Sequence, residues 1–220
     1  MSTVVLDGQV RIPDWVNDLA SFRRWADSDD LPEKLYIWYL RGEVWVFVRS
    51  EPIFTHNQVT GEFNCVLGGL VRKARLGHYY IWGLFWSNLD ADIAGMPDAT
   101  FFSADSLKSG RVWLLRGKDG EYNEVQGSPD MVLEVVSPAS VEKDTVHLRR
   151  GYWEAGVLEY WLVDVRGGSL HFDILRHTAK GYRATRKQSG WVKSSVFGKC
   201  FRLTQAKDRL GHPQYTLAVR

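Results

Sequence analysis

The sequence predicts an α/β (α+β) fold, and the prediction depends on three consecutive segments in the second half of the chain. Residues 130–137 form an apolar, partly β-branched run between two Ser-Pro pairs, which is typical of a buried strand. Residues 141–155 repeat apolar side chains at steps of three and four and end at Gly156, which indicates an amphipathic helix. Residues 159–164 are again apolar. A strand, a helix of this length and a second strand predict a βαβ crossover, and therefore two parallel strands in one sheet.

The first half of the chain predicts two helices and several strands. Residues 1–12 carry little pattern and predict a frayed arm. The elements predicted after the arm are a helix over 13–25, a hairpin of strands 35–40 and 44–48, a helix over 55–74, and strands over 79–86 and 96–102.

The remaining segments predict further hairpins and a β-rich C-terminus. Strands over 111–115 and 122–125 flank a Gly-Lys-Asp-Gly turn. The later predicted strands are 170–175, 182–186, 196–203 and 215–219. We expect them to extend the same sheet or to form a small cap. The predicted organisation is an N-terminal arm and helix over 1–30, a core over 31–166, and a β-rich extension of the same domain over 167–220.

Composition indicates one domain without a general affinity for polyanions. The 220 residues are 45% hydrophobic, which suffices for one large core and is marginal for two. With 28 basic and 26 acidic residues the net charge is +2, so a nucleic-acid-binding surface would have to be a local patch. Neither Cys65 nor Cys200 has a partner at zinc-ligand spacing, and the sequence shows no secretion signal and no apolar run of about 18 residues. We therefore expect a cytoplasmic protein with free thiols and no membrane partner.

Acidic side chains interrupt the predicted strand over 130–137. Alternate side chains of a strand point to opposite faces. One face carries Asp130, Val132, Glu134 and Val136, and the other carries Met131, Leu133 and Val135. A carboxylate at Glu134 inside a buried strand needs a cation or several hydrogen-bond donors, and a divalent metal ion is a natural partner.

A second acid for such a metal ion has to come from another element. Asp130 lies about 13 Å from Glu134 along the strand, too far to share one metal ion, so a structural role is predicted for Asp130. Asp98 follows Pro97 at the start of the strand over 96–102. Adjacent strands would bring Asp98 and Glu134 together, and two such carboxylates suit Mg²⁺ or Mn²⁺.

Several motifs together resemble the Uma2 family (DUF820) of restriction endonuclease-like proteins. They are Asp98, the run 129–138, Asp144, Tyr152 and the run 155–164. The likeness extends over about residues 33–166. It implies the PD-(D/E)xK nuclease fold, a mixed central β-sheet flanked by helices, with metal-dependent phosphodiester hydrolysis as the ancestral chemistry. DNA is the implied substrate, and family analogy suggests a homodimer.

The resemblance assigns roles to four residues. Asp98 resembles the first metal-binding aspartate and Glu134 the glutamate of the E-x-K element, and the backbone carbonyl of Val135 resembles a further metal ligand. Glu62, on the predicted helix over 55–74, resembles an acid that some of these nucleases add from their first helix. A solvated helix charge is an equally good interpretation of Glu62.

The expected lysine is missing from both of its usual places. In the family the lysine follows the strand glutamate by two residues or the helix aspartate by four. In this chain these positions, counted from Glu134 and Asp144, are Val136 and Leu148. Lys143 or Arg149 could supply the charge. Lys143 is preferred, because a compact ammonium on a long stem can reach an attacking water, whereas an arginine could only steady the phosphate.

The other polar residues have simpler interpretations. His56, at the start of the predicted helix over 55–74, could contact a phosphate or a metal-bound water, but a lone histidine there is more typical of a polar surface group. Asp144 could cap its helix or hold a base in place. Glu159 and Asp164 are expected to pair with arginines or backbone donors. Eight scattered basic residues could form a phosphate-binding patch, but such residues are more typical of solvated faces. They are Arg72, Lys73, Arg75, Arg149, Arg150, Arg183, Arg186 and Lys187.

Two functions follow from these motifs. The first is a Mg²⁺- or Mn²⁺-dependent DNA endonuclease in which Asp98 and Glu134 hold the metal ion. The second is a non-catalytic protein that keeps the scaffold to bind nucleic acid or a protein, an idea motivated by Val136 and Leu148. A third and weaker hypothesis is hydrolysis of a smaller phosphate ester.

Overall fold

The computed structural model describes residues 4–6, 10–31, 35–47, 51–81 and 83–220. The helices are α1 (Leu19–Ala26), α2 (Gln58–Ala74), α3 (Ala104–Lys108) and α4 (Leu148–Glu154). A π-helical turn precedes α2 (Ile53–Asn57) and another precedes α4 (Lys143–His147), and a 3₁₀ turn spans Arg166–Gly168. No helix in these ranges is long and apolar enough to cross a membrane.

The strands, in chain order, are β1 (Val4–Leu6), β2 (Val10–Ile12), β3 (Tyr36–Leu40), β4 (Glu43–Phe47), β5 (Gly77–Ile81), β6 (Phe85–Asn88), β7 (Ile93–Gly95), β8 (Ala99–Ser103), β9 (Val112–Arg116), β10 (Tyr122–Gly127), β11 (Met131–Val135), β12 (Glu159–Asp164), β13 (His171–Thr178), β14 (Gly181–Ala184), β15 (Val192–Lys193), β16 (Cys200–Lys207) and β17 (Pro213–Val219).

The central sheet is mixed and contains the predicted crossover. Its strand order is β14-β13-β12-β11-β8-β5. Strands β11 and β12 are parallel neighbours connected through α4, as predicted, and β11 pairs antiparallel with β8. The prediction of an α+β fold with a mixed sheet is confirmed.

The two faces of β11 contact different layers, and this division places the site. Met131, Leu133 and Val135 belong to a core formed with α2 and the C-terminal strands. Val132 belongs to a second core formed with α4 and the strands around β6 and β7. The predicted alternation is therefore confirmed, and Glu134 faces the α4 side with Val132.

A second six-stranded sheet covers the α4 side of the molecule. Its strand order is β4-β3-β7-β6-β10-β9, with β6 and β10 parallel. The predicted hairpins of 35–40 with 44–48 and of 111–115 with 122–125 are both present in it, as β3–β4 and β9–β10, although position 48 lies outside the described residues. Their joining into one sheet was not predicted, because it depends on pairing between segments far apart in sequence.

The structure corrects three predicted segments. The strand predicted over 79–86 is two strands in different sheets, β5 and β6, and the chain between them passes through Gly83 with φ of +97°. The strand predicted over 96–102 begins only at Ala99, because β7 ends at Gly95 and the chain then crosses between sheets. In the predicted frayed arm, β1 and β2 pair antiparallel.

Helix α1 is shorter than the predicted helix over 13–25, because Asp18 caps its N-terminus. The Asp18 side chain accepts a hydrogen bond from the Ser21 backbone at 2.7 Å, and the Ser21 hydroxyl accepts one from the Asp18 backbone. Such a capping box satisfies two backbone donors at a helix start. Buried Phe22 and Trp25 then fix α1 to the second sheet, as expected for a helix that packs on the core.

Some C-terminal strands extend the central sheet and others form a small cap, the two arrangements predicted for them. Strands β13 and β14 extend the central sheet, whereas β15, β16 and β17 form a separate sheet that packs on α2. Glu159 connects the two regions, because its carboxylate accepts hydrogen bonds from the hydroxyl of Ser194 and the backbone of Ser195 and Val196. Asp164 pairs with Arg166 at 2.8 Å. Both acids thus have the donors that the sequence predicted.

Candidate functional site

Strand pairing brings Asp98 and Glu134 to the same point. Leu133 pairs with Ala99 in antiparallel register, so the next residues outward, Glu134 and Asp98, lie opposite each other. The backbone N–H of Val135 donates to Oδ2 of Asp98 at 2.7 Å. Both acids are almost fully buried, and they line one pocket together.

Lys143 approaches Glu134 from the π-helical turn before α4. Its Nζ lies 3.4 Å from Oε2 of Glu134 and 2.6 Å from Oδ1 of Asp144. The ammonium also lies 4.8 Å from the ring centroid of Trp38, a cation–π distance. A helical residue thus places an ammonium beside the strand glutamate.

Hydrogen bonds fix the two acids that contact Lys143. Tyr152, on α4, donates its hydroxyl to Oε1 of Glu134 at 2.6 Å. Ser140 donates to Oδ2 of Asp144, and the hydroxyl of Tyr160 donates to the Asp144 backbone carbonyl at 2.9 Å. Asp144 makes no helix-capping bond, and its carboxylate contacts the ammonium of Lys143 instead of a base.

His56 is a site residue that the sequence analysis set aside. It was expected on the surface, but it is 8% exposed, and its Nε2 lies 3.3 Å from Oδ2 of Asp98. Its Nδ1 is buried without a hydrogen-bond partner among the described residues. The sequence could not reveal this contact, because burial of a helix start depends on what packs against it.

Two predicted site residues lie elsewhere. Glu62 accepts a hydrogen bond from the backbone N–H of Leu217 at 2.8 Å, so its carboxylate is turned to β17. Arg149 is exposed on α4. Neither lines the pocket of about 30 Å³ that contains Asp98, Glu134 and Lys143, a volume that admits a water molecule.

The remaining cavities and Asp130 are separate from this pocket. Asp130 accepts hydrogen bonds from the backbone of Ser103 and the hydroxyl of Ser106 at the opposite end of β11, a structural role as predicted. A larger cavity of about 530 Å³ lies between α1 and the β9–β10 hairpin, and none of the site residues lines it.

Burial and charge shift the pKa values of the central groups. Burial raises the pKa of Glu134 well above its usual value, and Lys143 and Tyr152 only partly offset this. Burial likewise raises the pKa of Asp144 against the opposing effect of Lys143. Burial alone would lower the pKa of Lys143, but the charges of Asp144 and Glu134 outweigh burial and raise it, so the ammonium stays charged at neutral pH. The pocket therefore holds a permanent cation and more acid than that cation neutralises.

The donor set suits a hard cation that keeps several of its waters. Within the described ranges no three His, Cys, Asp or Glu side chains are grouped to hold a metal ion. Asp98 and Glu134 supply two carboxylates. The N–H and C=O of one strand residue point to the same neighbouring strand, so the carbonyl of Val135 points to the side of Asp98. Mg²⁺ is commonly bound through one or two carboxylates and water, so the residues present fit it.

Comparison with known proteins agrees with this architecture. The structure is similar to one described as a "putative nuclease belonging to DUF820 from Anabaena variabilis ATCC 29413", with a TM-score of 0.60 and 18% identity over 82% of this chain and 90% of that chain. At that identity the likeness shows a shared fold. No curated protein matches the sequence. The model of the Uma2 family, described as "Putative restriction endonuclease", matches residues 19–199. Because the match spans most of the chain, this protein belongs to the Uma2 family.

Proposed function

We propose that the protein is a Mg²⁺- or Mn²⁺-dependent endonuclease that hydrolyses DNA phosphodiester bonds. The observation that carries the proposal is the meeting of Asp98, Glu134 and Lys143 in one buried pocket. Membership of the Uma2 family, described as "Putative restriction endonuclease", supports the reaction class.

In this proposal Asp98, Glu134 and the carbonyl of Val135 hold the metal ion. A divalent ion bound there supplies an activated water and neutralises charge on the phosphate. The Val135 N–H fixes Asp98 from the strand, and Tyr152 fixes Glu134 from α4. Both carboxylates are therefore positioned before a metal ion arrives, which reduces the cost of organising the site.

Lys143 is the residue that holds the water or the phosphate. Because its pKa is raised, it remains an ammonium and acts by donating hydrogen bonds and by its charge, not by accepting a proton. Glu62 and Arg149 are left outside the proposed mechanism, since the first is bound to Leu217 and the second is exposed.

One observation favours a second candidate, a scaffold that binds nucleic acid or protein without cleaving it. Both carboxylate oxygens of Glu134 already have partners, Tyr152 and Lys143, so this side chain has its hydrogen bonds without a metal ion. Calorimetry separates the two candidates. Binding of Mn²⁺ that is lost in Asp98→Asn supports the nuclease, and intact DNA binding with no Mn²⁺ binding supports the scaffold.

Cleavage of supercoiled plasmid in the presence of Mn²⁺ tests the proposal. We expect the wild-type protein to nick the plasmid, and Asp98→Asn, Glu134→Gln and Lys143→Met each to lower the rate at least about 100-fold. Asp164→Asn is the matched control, because it removes a carboxylate from the next strand outside the pocket. Equal nicking by all five proteins would assign the activity to a contaminant.

The proposal also includes a homodimer, which stays a prediction from the family resemblance. Sedimentation velocity of the purified protein measures it directly. A single species at the mass of one 25.2 kDa chain would contradict it.

A further inference from the structure

The charge of this chain is divided very unevenly along its length. Residues 167–220 contain eleven lysines and arginines against two acids, Asp173 and Asp208, which is a net charge of +9. The whole chain carries only +2, so residues 1–166 carry −7. The near-neutral total conceals a basic C-terminal segment attached to an acidic remainder, and such asymmetry is typical of nucleic-acid-binding proteins.

The basic side chains of this segment are open to solvent. All eleven except Arg202 are exposed. Lys187, which contacts Asp173 at 2.8 Å, is the one member with an ion pair to a described acid. Arg176 and Arg183 lie directly opposite each other on β13 and β14. Like charges in that position are destabilising unless an anion lies nearby, and Glu159 is opposite Arg176 on the other neighbouring strand, β12.

The β16–β17 hairpin carries this charge to the candidate site. His212, in the turn of the hairpin, stacks on Phe54 with ring centroids 4.8 Å apart. Phe54 lies in the same π-helical turn as His56, whose imidazole contacts Asp98. The hairpin turn also carries Lys207 and Arg209, both exposed. The acid between them, Asp208, accepts hydrogen bonds from the backbone of Leu210 and His212 and lies 3.5 Å from the imidazole of His212. Among the described residues it forms no ion pair with Lys207 or Arg209, and the two cations outnumber this one acid.

We propose that the turn of the β16–β17 hairpin binds the phosphate backbone of duplex DNA beside the pocket, with Lys207 and Arg209 as the contacting residues. The inference rests on the proposed function, because it concerns the substrate of the same site. Lysine and arginine contacts to phosphates position a duplex without reading its sequence. They complement a pocket whose own charge is largely acidic and which would otherwise repel DNA.

Trp191 precedes β15 at the end of the β16–β17 hairpin opposite to its turn, and it does not offer a free ring to a single strand. Single strands are bound by stacking bases on free aromatic rings. Trp191 is already covered by Arg202 and Arg220, whose guanidinium carbons lie 4.8 and 4.3 Å from its ring centroid. The surface therefore offers charge but no free stacking platform at this position.

Fluorescence anisotropy with a labelled 20-base-pair duplex in EDTA tests the inference without requiring cleavage. For the full-length protein, log K should fall linearly with log salt. In Lys207→Gln/Arg209→Gln the slope should become less negative by about 1 to 2, because each lost phosphate contact removes about 0.9. The control Lys73→Gln/Lys108→Gln removes the same charge from exposed positions at the end of α2 and in α3, and should leave the slope unchanged. Lys207→Arg/Arg209→Lys should keep the wild-type slope.

The outcomes separate this inference from the proposed function. Duplex binding with equal slopes in the test and control variants overturns the inference and leaves the nuclease proposal intact. Binding that depends on Lys207 and Arg209 without any cleavage in Mn²⁺ overturns the nuclease proposal alone. Tighter binding of the matching single strand than of the duplex, by the wild-type protein, also overturns the inference. Circular dichroism melts of each variant establish that it is folded.

Discussion

The ammonium of Lys143 lies 3.4 Å from the carboxylate of Glu134, a residue nine positions earlier in the chain. The two usual positions for a lysine beside this glutamate are occupied by Val136 and Leu148, and both are fully buried apolar side chains. The charge instead comes from the π-helical turn that precedes α4. The ammonium beside Glu134 therefore comes from neither of the two positions at which the family resemblance led us to expect it.

Removing this ammonium should destabilise the protein strongly. Lys143→Met leaves Glu134 and Asp144 buried without their cation, which costs about 3–5 kcal/mol of the free energy of unfolding. Arg149→Met, a nearby exposed change on α4, should cost less than about 0.5 kcal/mol. Urea unfolding at pH 7 measures both. Equal small losses would show that Lys143 does not compensate the two acids.

Binding of a metal ion should stabilise the fold through the same acids. A ligand that binds only the folded state at 100 times its dissociation constant adds about 2.7 kcal/mol. We therefore expect Mn²⁺ to raise the melting temperature of the wild-type protein and EDTA to reverse the rise. Asp98→Asn should abolish the shift and Asp164→Asn should keep it. A shift that survives in Asp98→Asn would place the metal ion elsewhere.

The imidazole of His56 should titrate above its usual pKa of 6.5 in the metal-free protein. Burial lowers its pKa, but the hydrogen bond and charge of Asp98, together with the charge of Glu51, outweigh burial and raise it. A raised folded-state pKa means that the protonated imidazole stabilises the fold fully below pH 6.5. This stabilisation is lost as the pH rises from 6.5 through the folded-state pKa.

Proton NMR in EDTA measures this value directly. The His56 resonance is assigned as the one missing from His56→Gln. In Asp98→Asn its pKa should fall below the wild-type value, since burial remains and the opposing charge is gone. A His56 pKa that does not change would show that the 3.3 Å contact with Asp98 is not made in solution.

The sequence was sufficient for those parts of the fold that depend on local pattern. The crossover from β11 through α4 to β12 follows from periodicity, and the pairing of Asp98 with Glu134 follows from expecting adjacent strands. The second sheet depends on pairing between distant segments such as β6 and β10, for which one sequence carries no signal. The break between β5 and β6 is marked only by Gly83 in an otherwise aromatic run.

The sequence also predicted part of the candidate site: it identified three residues that line the pocket, but it misjudged His56 and Glu62. Asp98 and Glu134 were identified as acids on two predicted strands, and Lys143 was preferred over Arg149 as the substitute for the lysine that the family resemblance implies. All three line one pocket. The role of His56 was missed because its surroundings are formed where the start of β8 meets the turn before α2. These segments are more than 40 residues apart, and their contact has no sequence signal. Glu62 was expected near the pocket from its helix, but its rotation about that helix turns it to Leu217.

The carboxylate of Glu159 should hold the C-terminal sheet, and with it the basic hairpin, on the nuclease-like core. It is 1% exposed, and it accepts hydrogen bonds from Trp161, Ser194 and the backbone of Ser195. In Glu159→Gln an amide group replaces one acceptor oxygen and faces donors, so about 2–4 kcal/mol of stability should be lost. Asp164→Asn, at the other end of β12, breaks a partly exposed ion pair and should cost less than about 1 kcal/mol.

Hydrogen exchange distinguishes a local from a global effect of Glu159→Gln. We expect faster exchange at the backbone amides of residues 194–197 and of β16 and β17, with β11 and β12 unchanged. Duplex binding in EDTA should weaken with the loosened hairpin, while Mn²⁺ binding by Asp98 and Glu134 persists. Uniformly faster exchange across the central sheet would mean that Glu159 supports the whole fold instead, and that the basic hairpin is held on the core by its apolar contacts with α2.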